Sequence, residues 1–395
     1  MKSSLIDSVV AELSAYIETE DFKGWDPYDY LSSWFPFRWF GKTAQAVAVQ
    51  AGKLIPLNLR PLMGIHKEEV PKGLGLMLSA YCNLYVKAEN PHFLEIADSL
   101  FQRLLALRSP GKNEYCWGCN FVWANPHCVH PKYIPSVVVS SFVGQGIYKY
   151  YQIKKDESIR QVLLSIGDYI LKNLHVTETE DGICLSYTEE EANCCYNASI
   201  LGAEMLAIVY ILNKDNKLLD IIKRSIDFVL AHQHEDGSWG YSIDINTGIE
   251  RIQTDFHQGF ILCSLGHIKK FLGLNDSKID NAIQRGLNYY RKVQFSDDGV
   301  SLWRVPKHYP IEIHNQAQGI ITFSQFASAD NDYLNFAHHV ARWTIENMKS
   351  SKGFFFYRKY KYYTIKIPYI RWSQAWMFLA MSEYTIKLFR EEKKS

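Results

Sequence analysis

The chain has 395 residues, 47% hydrophobic and 22% charged, which is an ordered globular composition with enough apolar residues for a large core. Its 43 Lys and Arg nearly balance 42 Asp and Glu, leaving a formal net charge of +1. Signs are interspersed along the chain, which argues against nucleic acid or an anionic membrane as the main partner.

Taken in order, the chain opens on MKSSLIDSVVAELSAYIETEDF, where Asp7, Glu12 and Glu18 interrupt an apolar periodicity. That pattern predicts an amphipathic helix, not a signal peptide. No run of 18 apolar residues follows, so no membrane span is expected. The expected location is cytoplasmic, where the eight cysteines are free thiols rather than disulfides. The aromatic stretch GWDPYDYLSSWFPFRWF completes residues 1–40, and Pro27 and Pro36 keep it irregular.

From Thr43 onward helical periodicity dominates. An apolar, charge-poor helix recurs six times, from Lys72, Pro135, Tyr196, Phe256, His314 and Arg371. Between these lie more charged amphipathic helices such as DNKLLDIIKRSIDFVLAHQ and SKIDNAIQRGLNYYRKVQ. A helix poor in charge all round is buried, and one with a polar stripe is peripheral. Six buried helices ringed by six peripheral ones make an all-α (α/α)6 toroid, in which each hairpin buries its apolar face against two neighbours. The expected organisation is one domain over 1–395, with the first helix and aromatic segment of 1–40 packing on the ring. Turns at Asp181-Gly182, Asp236-Gly237, Asp298-Gly299 and Gly353 precede the aromatic segments LSY, SWGY, SLW and FFFY, read as short strands in β-hairpin insertions at the funnel rim.

Two stretches, RSIDFVLAHQHEDGSW and RGLNYYRKVQFSDDGVSLW, resemble the Gln-Trp repeat of squalene–hopene cyclases and protein prenyltransferases. That resemblance implies the toroid, not a chemistry. GWDPYDYLSS, CWGCNFVW, PSVVVSSFV and the helix start at Tyr196-Asn197 resemble a poorly characterised bacterial family of toroid proteins that accompanies surface-polysaccharide genes. Members of that family usually carry Asp in the middle of the Phe-x-Trp triplet, where this chain has Val122. The resemblance implies a glycan or sugar precursor as substrate and an association with other polysaccharide-synthesis proteins.

In a toroid the loops entering the inner helices line a funnel, and the helix N-termini offer unpaired N–H groups and a positive dipole end. Residues at those starts are therefore the site candidates. His257, His314, Tyr196 and Asp255 are the expected catalytic groups, because His and Tyr can exchange protons near neutral pH. Neighbouring inner helices start about 10 Å apart, so His257 and His314 are expected to reach one sugar. Asn197 and Arg371 would hold an acid group, with Tyr133 and Gln374 beside them and Trp117, Trp239, Trp303 and Trp372 as stacking walls.

This set suits proton abstraction next to a uronate carboxylate, by a lyase or C5-epimerase. Hydrolysis would need paired carboxylates, for which only Asp255 and Glu312 qualify. The alternatives are a non-catalytic glycan-binding or scaffold toroid and an isoprenoid cyclase-like enzyme. For the cyclase, the acidic pair Asp330 and Asp332 stands before a peripheral helix. Cys116 and Cys119, followed by His127, Cys128 and His130, raise a zinc site. Only one CxxC is present and no second pair follows at ribbon spacing, so no metal or cofactor is expected.

Overall fold

The computed structural model describes residues 2–124, 129–328 and 331–393. Its helices run in order α1 (Lys2–Thr19), α2 (Gly41–Leu54), α3 (Pro71–Ala88), α4 (Pro91–Ala106), α5 (Val137–Lys154), α6 (Glu157–Asn173) and α7 (Tyr196–Asn213). They continue as α8 (Lys217–Ala231), α9 (His257–Leu272), α10 (Ser277–Val293), α11 (Ile313–Gln325), α12 (Asn331–Met348) and α13 (Trp376–Glu392). One π-helical stretch, Ile370–Ala375, leads into α13.

Among the described residues α3, α5, α7, α9, α11 and α13 pack side by side in that order, and α13 returns to α3. The inner ring is closed. α4, α6, α8, α10 and α12 lie outside it, and α1 takes the sixth outer place against α13. Polarity decides the layer, as the sequence predicts. In α7 every residue from Tyr196 to Val209 is buried, whereas α10 buries Ile279, Ala282, Ile283, Gly286, Leu287 and Tyr290, spacings that fall on one helical stripe. Among the described residues only α7 is long and apolar enough to cross a membrane, and 78% of it is buried inside the ring.

The turn glycines tie each hairpin to the next. Gly237 has φ of 92°, and a Cβ there would stand 2.4 Å from the carbonyl oxygen of Arg285 in α10. Gly353 has φ of 87°, and its Cβ would stand 2.7 Å from the carbonyl oxygen of Glu12 in α1. A side chain would be strained and would collide, so both positions require glycine. Gly182 and Gly299 touch α8 and α12 in the same way. The Gly353 contact closes the outer layer through α1.

Strand pairing is sparser than the sequence suggests. SWGY forms no strand, and SLW and FFFY contribute only the isolated bridges Phe295–Ser301 and Lys349–Phe355. The three-stranded antiparallel sheets pair Cys194–Cys195 with Ser242–Ile243 and Glu250–Arg251, and Ile311–Glu312 with Arg358–Lys359 and Thr364–Ile365. Side chains from the inner helices hold the extended segments instead. The Gln258 amide accepts from Trp239 N–H and donates to the Trp239 carbonyl. Gln316 spans Ser301 N–H and the Gly299 carbonyl. Gln374 accepts from Phe355 N–H at 2.8 Å and donates to the Phe355 carbonyl at 2.8 Å. A planar amide carries both a donor and an acceptor, so it replaces a strand partner where no strand is available.

Candidate functional site at the N-terminal mouth of the ring

Three rings from three inner helices close the barrel near the helix N-termini. Phe142 stands 5.1 Å from both Phe260 and Trp376, centroid to centroid, and Phe260 stacks on Trp376 at 5.4 Å. Lys72, in the first turn of α3, places its ammonium over the Phe142 ring at 4.3 Å and over Trp376 at 5.1 Å. Burial, and then the neighbouring Arg371 charge, pushes the Lys72 pKa well below the ordinary lysine value.

Above this floor His257 opens α9 and remains partly open to solvent. Its Nδ1 pairs with Asp255 Oδ1 at 2.5 Å, and its ring stands edge-on to Tyr241 at 4.9 Å. Asp255 also accepts from Gln253 Nε2 at 2.7 Å and faces Arg304 Nε at 3.8 Å. Burial would raise the Asp255 pKa, but the His257 charge, the hydrogen bonds from His257 and the Arg304 charge hold it below its usual value. Asp255 thus stays ionised and orients the imidazole. With Nδ1–H donated to the carboxylate, Nε2 is the nitrogen left to accept a proton.

The opposite wall is built on Glu312. Arg358 donates to its Oε2 through Nε at 2.9 Å and Nη2 at 2.6 Å, and Trp372 Nε1 donates to Oε1 at 2.7 Å. Trp303 Nε1 reaches Oε2 at 3.3 Å. These bonds fix two indoles at the mouth, where Trp372 packs on Tyr28 at 5.3 Å.

Of the expected catalytic groups, the ring brings Asp255 and His257 together and places His314 below them. The Phe256 ring intervenes, 4.2 Å from His257 and stacked on His314 at 3.9 Å. Adjacent helix starts are therefore not enough for both imidazoles to meet one sugar as the structure stands. His314 is 1% exposed, and neither ring nitrogen has a protein partner. Burial, then the charges of Lys72, His257 and Arg371, push its pKa well below the usual histidine value. It is a neutral imidazole. Tyr196 turns outward, its ring 5.7 Å from Phe228 of α8 and 5.2 Å from His232, between the helix layers and not toward the axis.

The binding set divides. Trp303 is partly exposed, whereas Trp372 is buried among Tyr28, Phe256 and His314. Trp117 and Trp239 are fully buried, and each indole donates at 2.8 Å to a carbonyl in the last turn of an outer helix, Leu104 and Val229 respectively. They are core residues and not stacking walls. Gln374 is the backbone brace described above. Arg371 donates to both oxygens of Asp26, at 2.6 and 2.7 Å, in a buried pair that leaves it no free charge for a substrate acid. Asn197 is buried and accepts from the Cys195 thiol at 3.0 Å, while Tyr133, with φ of 65°, is exposed in the loop before α5.

Several mouth residues were not among the expected ones: Lys72, Arg304, Tyr241, and the Arg60–Asp29 pair at 2.7 Å. Only Lys72 left a clear mark in the sequence, as the lone charge of the stretch KGLGLMLSAYCNLY. Among the described residues no group of three or more His, Cys, Asp and Glu is gathered as a metal site. Cys116 is buried beside the Glu114 carbonyl, and His130 stacks on Trp123 at 4.2 Å. His127 and Cys128 lie outside the described residues, as does Asp330. Asp332 opens the outer helix α12, in the peripheral layer.

No family model matches the sequence, and no curated protein matches it. The fold does match solved structures. A cellobiose 2-epimerase from Bacillus thermoamylovorans superposes with a TM-score of 0.64 at 12% identity, over 83% of this chain and 90% of that one. A GH76 alpha-mannanase from Bacteroides thetaiotaomicron gives 0.61 at 11% identity, over 84% and 90%. A polysaccharide lyase gives 0.62 at 10% identity, over 100% of this chain and 99% of its own. At these identities the likeness establishes the helical toroid.

Proposed function

We propose that this chain is a carbohydrate-active enzyme that removes a proton from a sugar carbon next to a carbonyl or carboxylate, as a lyase or an epimerase does. The Asp255–His257 pair at the open mouth of the ring carries this proposal. His257 Nε2 takes the proton. The C–H electron pair moves into the adjacent carbonyl to give an enediolate. An epimerase then returns a proton to the other face, and a lyase lets the electron pair expel the group on the next carbon. Tyr241 stays protonated through burial and braces His257 through its ring edge, its hydroxyl being engaged with Cys195. Arg304, 43% exposed, takes the place first expected of Arg371 as the cation that meets the developing negative charge. Trp303, which is partly exposed, offers a flat face to the sugar ring.

Hydrolysis ranks behind these reactions. It needs two carboxyl groups free to serve as acid and as base or nucleophile. At the mouth Asp26 is paired with Arg371, Asp29 with Arg60, Glu312 with Arg358 and Asp255 with His257. By their names, the proteins of like fold include an epimerase, a mannanase, a lyase and a D-mannose isomerase, which supports a sugar substrate. The resemblance to toroids of surface-polysaccharide genes supports a glycan or its precursor. Seven described cysteines are free, which fits a reducing compartment such as the cytoplasm.

The experiment is turnover against neutral reducing sugars and oligouronates, with products read by NMR. His257→Gln should lower kcat about a hundredfold, the scale of losing a general base, in protein whose fold is retained by far-UV circular dichroism. Wild-type turnover in that variant would contradict the proposal.

A further inference from the structure

Below the Phe142–Phe260–Trp376 floor a second chamber of about 1070 Å³ opens at the other end of the ring, toward the C-terminal ends of the inner helices. All six inner helices line it, and its wall, though mostly apolar, carries buried polar side chains. Glu204 of α7, 1% exposed, accepts from Ser264 Oγ at 2.7 Å, Gln145 Nε2 at 2.9 Å and His267 Nδ1 at 2.8 Å. Across the chamber Asn83 Nδ2 donates to Glu383 at 3.1 Å, and Lys149 bridges Asn83 and Glu383. Ser324 also lines the chamber, and its buried hydroxyl has no protein partner. A barrel core built only for stability would fill this volume with apolar side chains, since buried polar groups cost free energy unless paired.

We propose that this chamber binds a neutral polyhydroxylated molecule the size of a mono- or disaccharide, inserted from the C-terminal mouth. Three features point to that class. Inside the chamber Glu383 is compensated by Lys149 and Glu204 by its three donors, so an ionic ligand reaching them would have to break a pair, while Lys270, Arg390 and Lys393 are exposed residues of its lining. Hydroxyls act as donor and acceptor at once and can join both polar walls without breaking either. The aromatic floor suits the C–H face of a sugar ring. The volume lies at the upper end of ordinary ligand pockets, about 300–1,000 Å³. This chamber is separated from the His257 mouth by the three-ring floor, so its occupancy does not require that mouth to be catalytic.

The test is NMR of histidine-labelled full-length protein, with the His267 ring signal assigned by its loss in His267→Gln. Titration with methyl β-glucoside and with cellobiose should shift that signal saturably, at concentrations up to about 10 mM. The shift should persist in His257→Gln, which separates this site from the mouth. Gln145→Leu, and independently Ser324→Ala, should raise the dissociation constant about tenfold, about 1.4 kcal/mol. Both should keep the wild-type melting temperature within a few degrees, and either variant alone suffices. Three results would overturn the proposal: an unmoved His267 signal, meaning a chamber filled by water alone; unchanged affinity in both variants; or tenfold tighter binding of glucose 6-phosphate, meaning an anion site.

Discussion

Replacing Gln374 by Leu separates a brace from a substrate contact. The amide supplies the acceptor for Phe355 N–H and the donor for its carbonyl, both at 2.8 Å, and Phe355 is fully buried. Leucine leaves both backbone groups buried and unpaired. Each such group costs about 1–3 kcal/mol, so the variant should lose about 2–6 kcal/mol. Urea unfolding followed by far-UV circular dichroism is the assay. With a slope of at least about 3 kcal/mol per molar for a chain this long, the midpoint should fall by up to about 2 M. The protein that remains folded should keep the wild-type KM. An unchanged midpoint with a raised KM would refute the reasoning and return Gln374 to the substrate.

Gly237→Ala forces a Cβ against the Arg285 carbonyl at positive φ and should cost about 2–4 kcal/mol in the same assay, whereas Gly248→Ala, at an open loop position, should cost less. Arg371→Met strands Asp26 as an unpaired buried charge and should destabilise by about 3–5 kcal/mol; a fully stable variant with a raised KM would mean that the guanidinium serves substrate instead. Lys72→Met removes an ammonium held only by ring faces and should raise stability by about 0.5–2 kcal/mol at pH 7, read as a higher urea midpoint, and an unchanged or lower midpoint would contradict it. Asp255 has a folded pKa below its unfolded one, so its contribution is present above about pH 4 and is lost as pH falls through the depressed folded value. Asp255→Asn should therefore be less stable than wild type at pH 7, and the gap should close under acid conditions.

The ring was legible because its two layers differ in charge, and that contrast survives in a single sequence. Helix starts expected at Tyr196, Phe256 and His314 fall at Tyr196, His257 and Ile313. The side chains' directions were less legible. Trp239 and Trp303 both follow an Asp-Gly turn, yet one indole is spent on an outer-helix carbonyl and the other on Glu312 at the mouth. No local pattern separates them, because the difference depends on which neighbouring helix the turn lies against. Arg371 and Asp26 stand 345 positions apart and meet only because the ring closes. Tyr196 begins an inner helix as expected, but its position on that helix points it between the layers. His314 was found by its helix start, whereas the Phe256 ring that walls it from His257 belongs to the residue immediately before His257.

The central claim is that His257 removes a carbon-bound proton from a sugar. Solvent-deuterium exchange tests it without knowledge of the final product. Neutral disaccharides and oligouronates are incubated with the protein in D2O, and mass spectrometry with proton NMR locates any new C–D bond. The account predicts deuterium at the carbon next to the carbonyl of a recovered or epimerised sugar, or an unsaturated uronate at a cleaved end, with either outcome lost in His257→Gln. Cleavage to saturated sugars with no carbon-bound deuterium, or exchange that persists undiminished in His257→Gln, would contradict it.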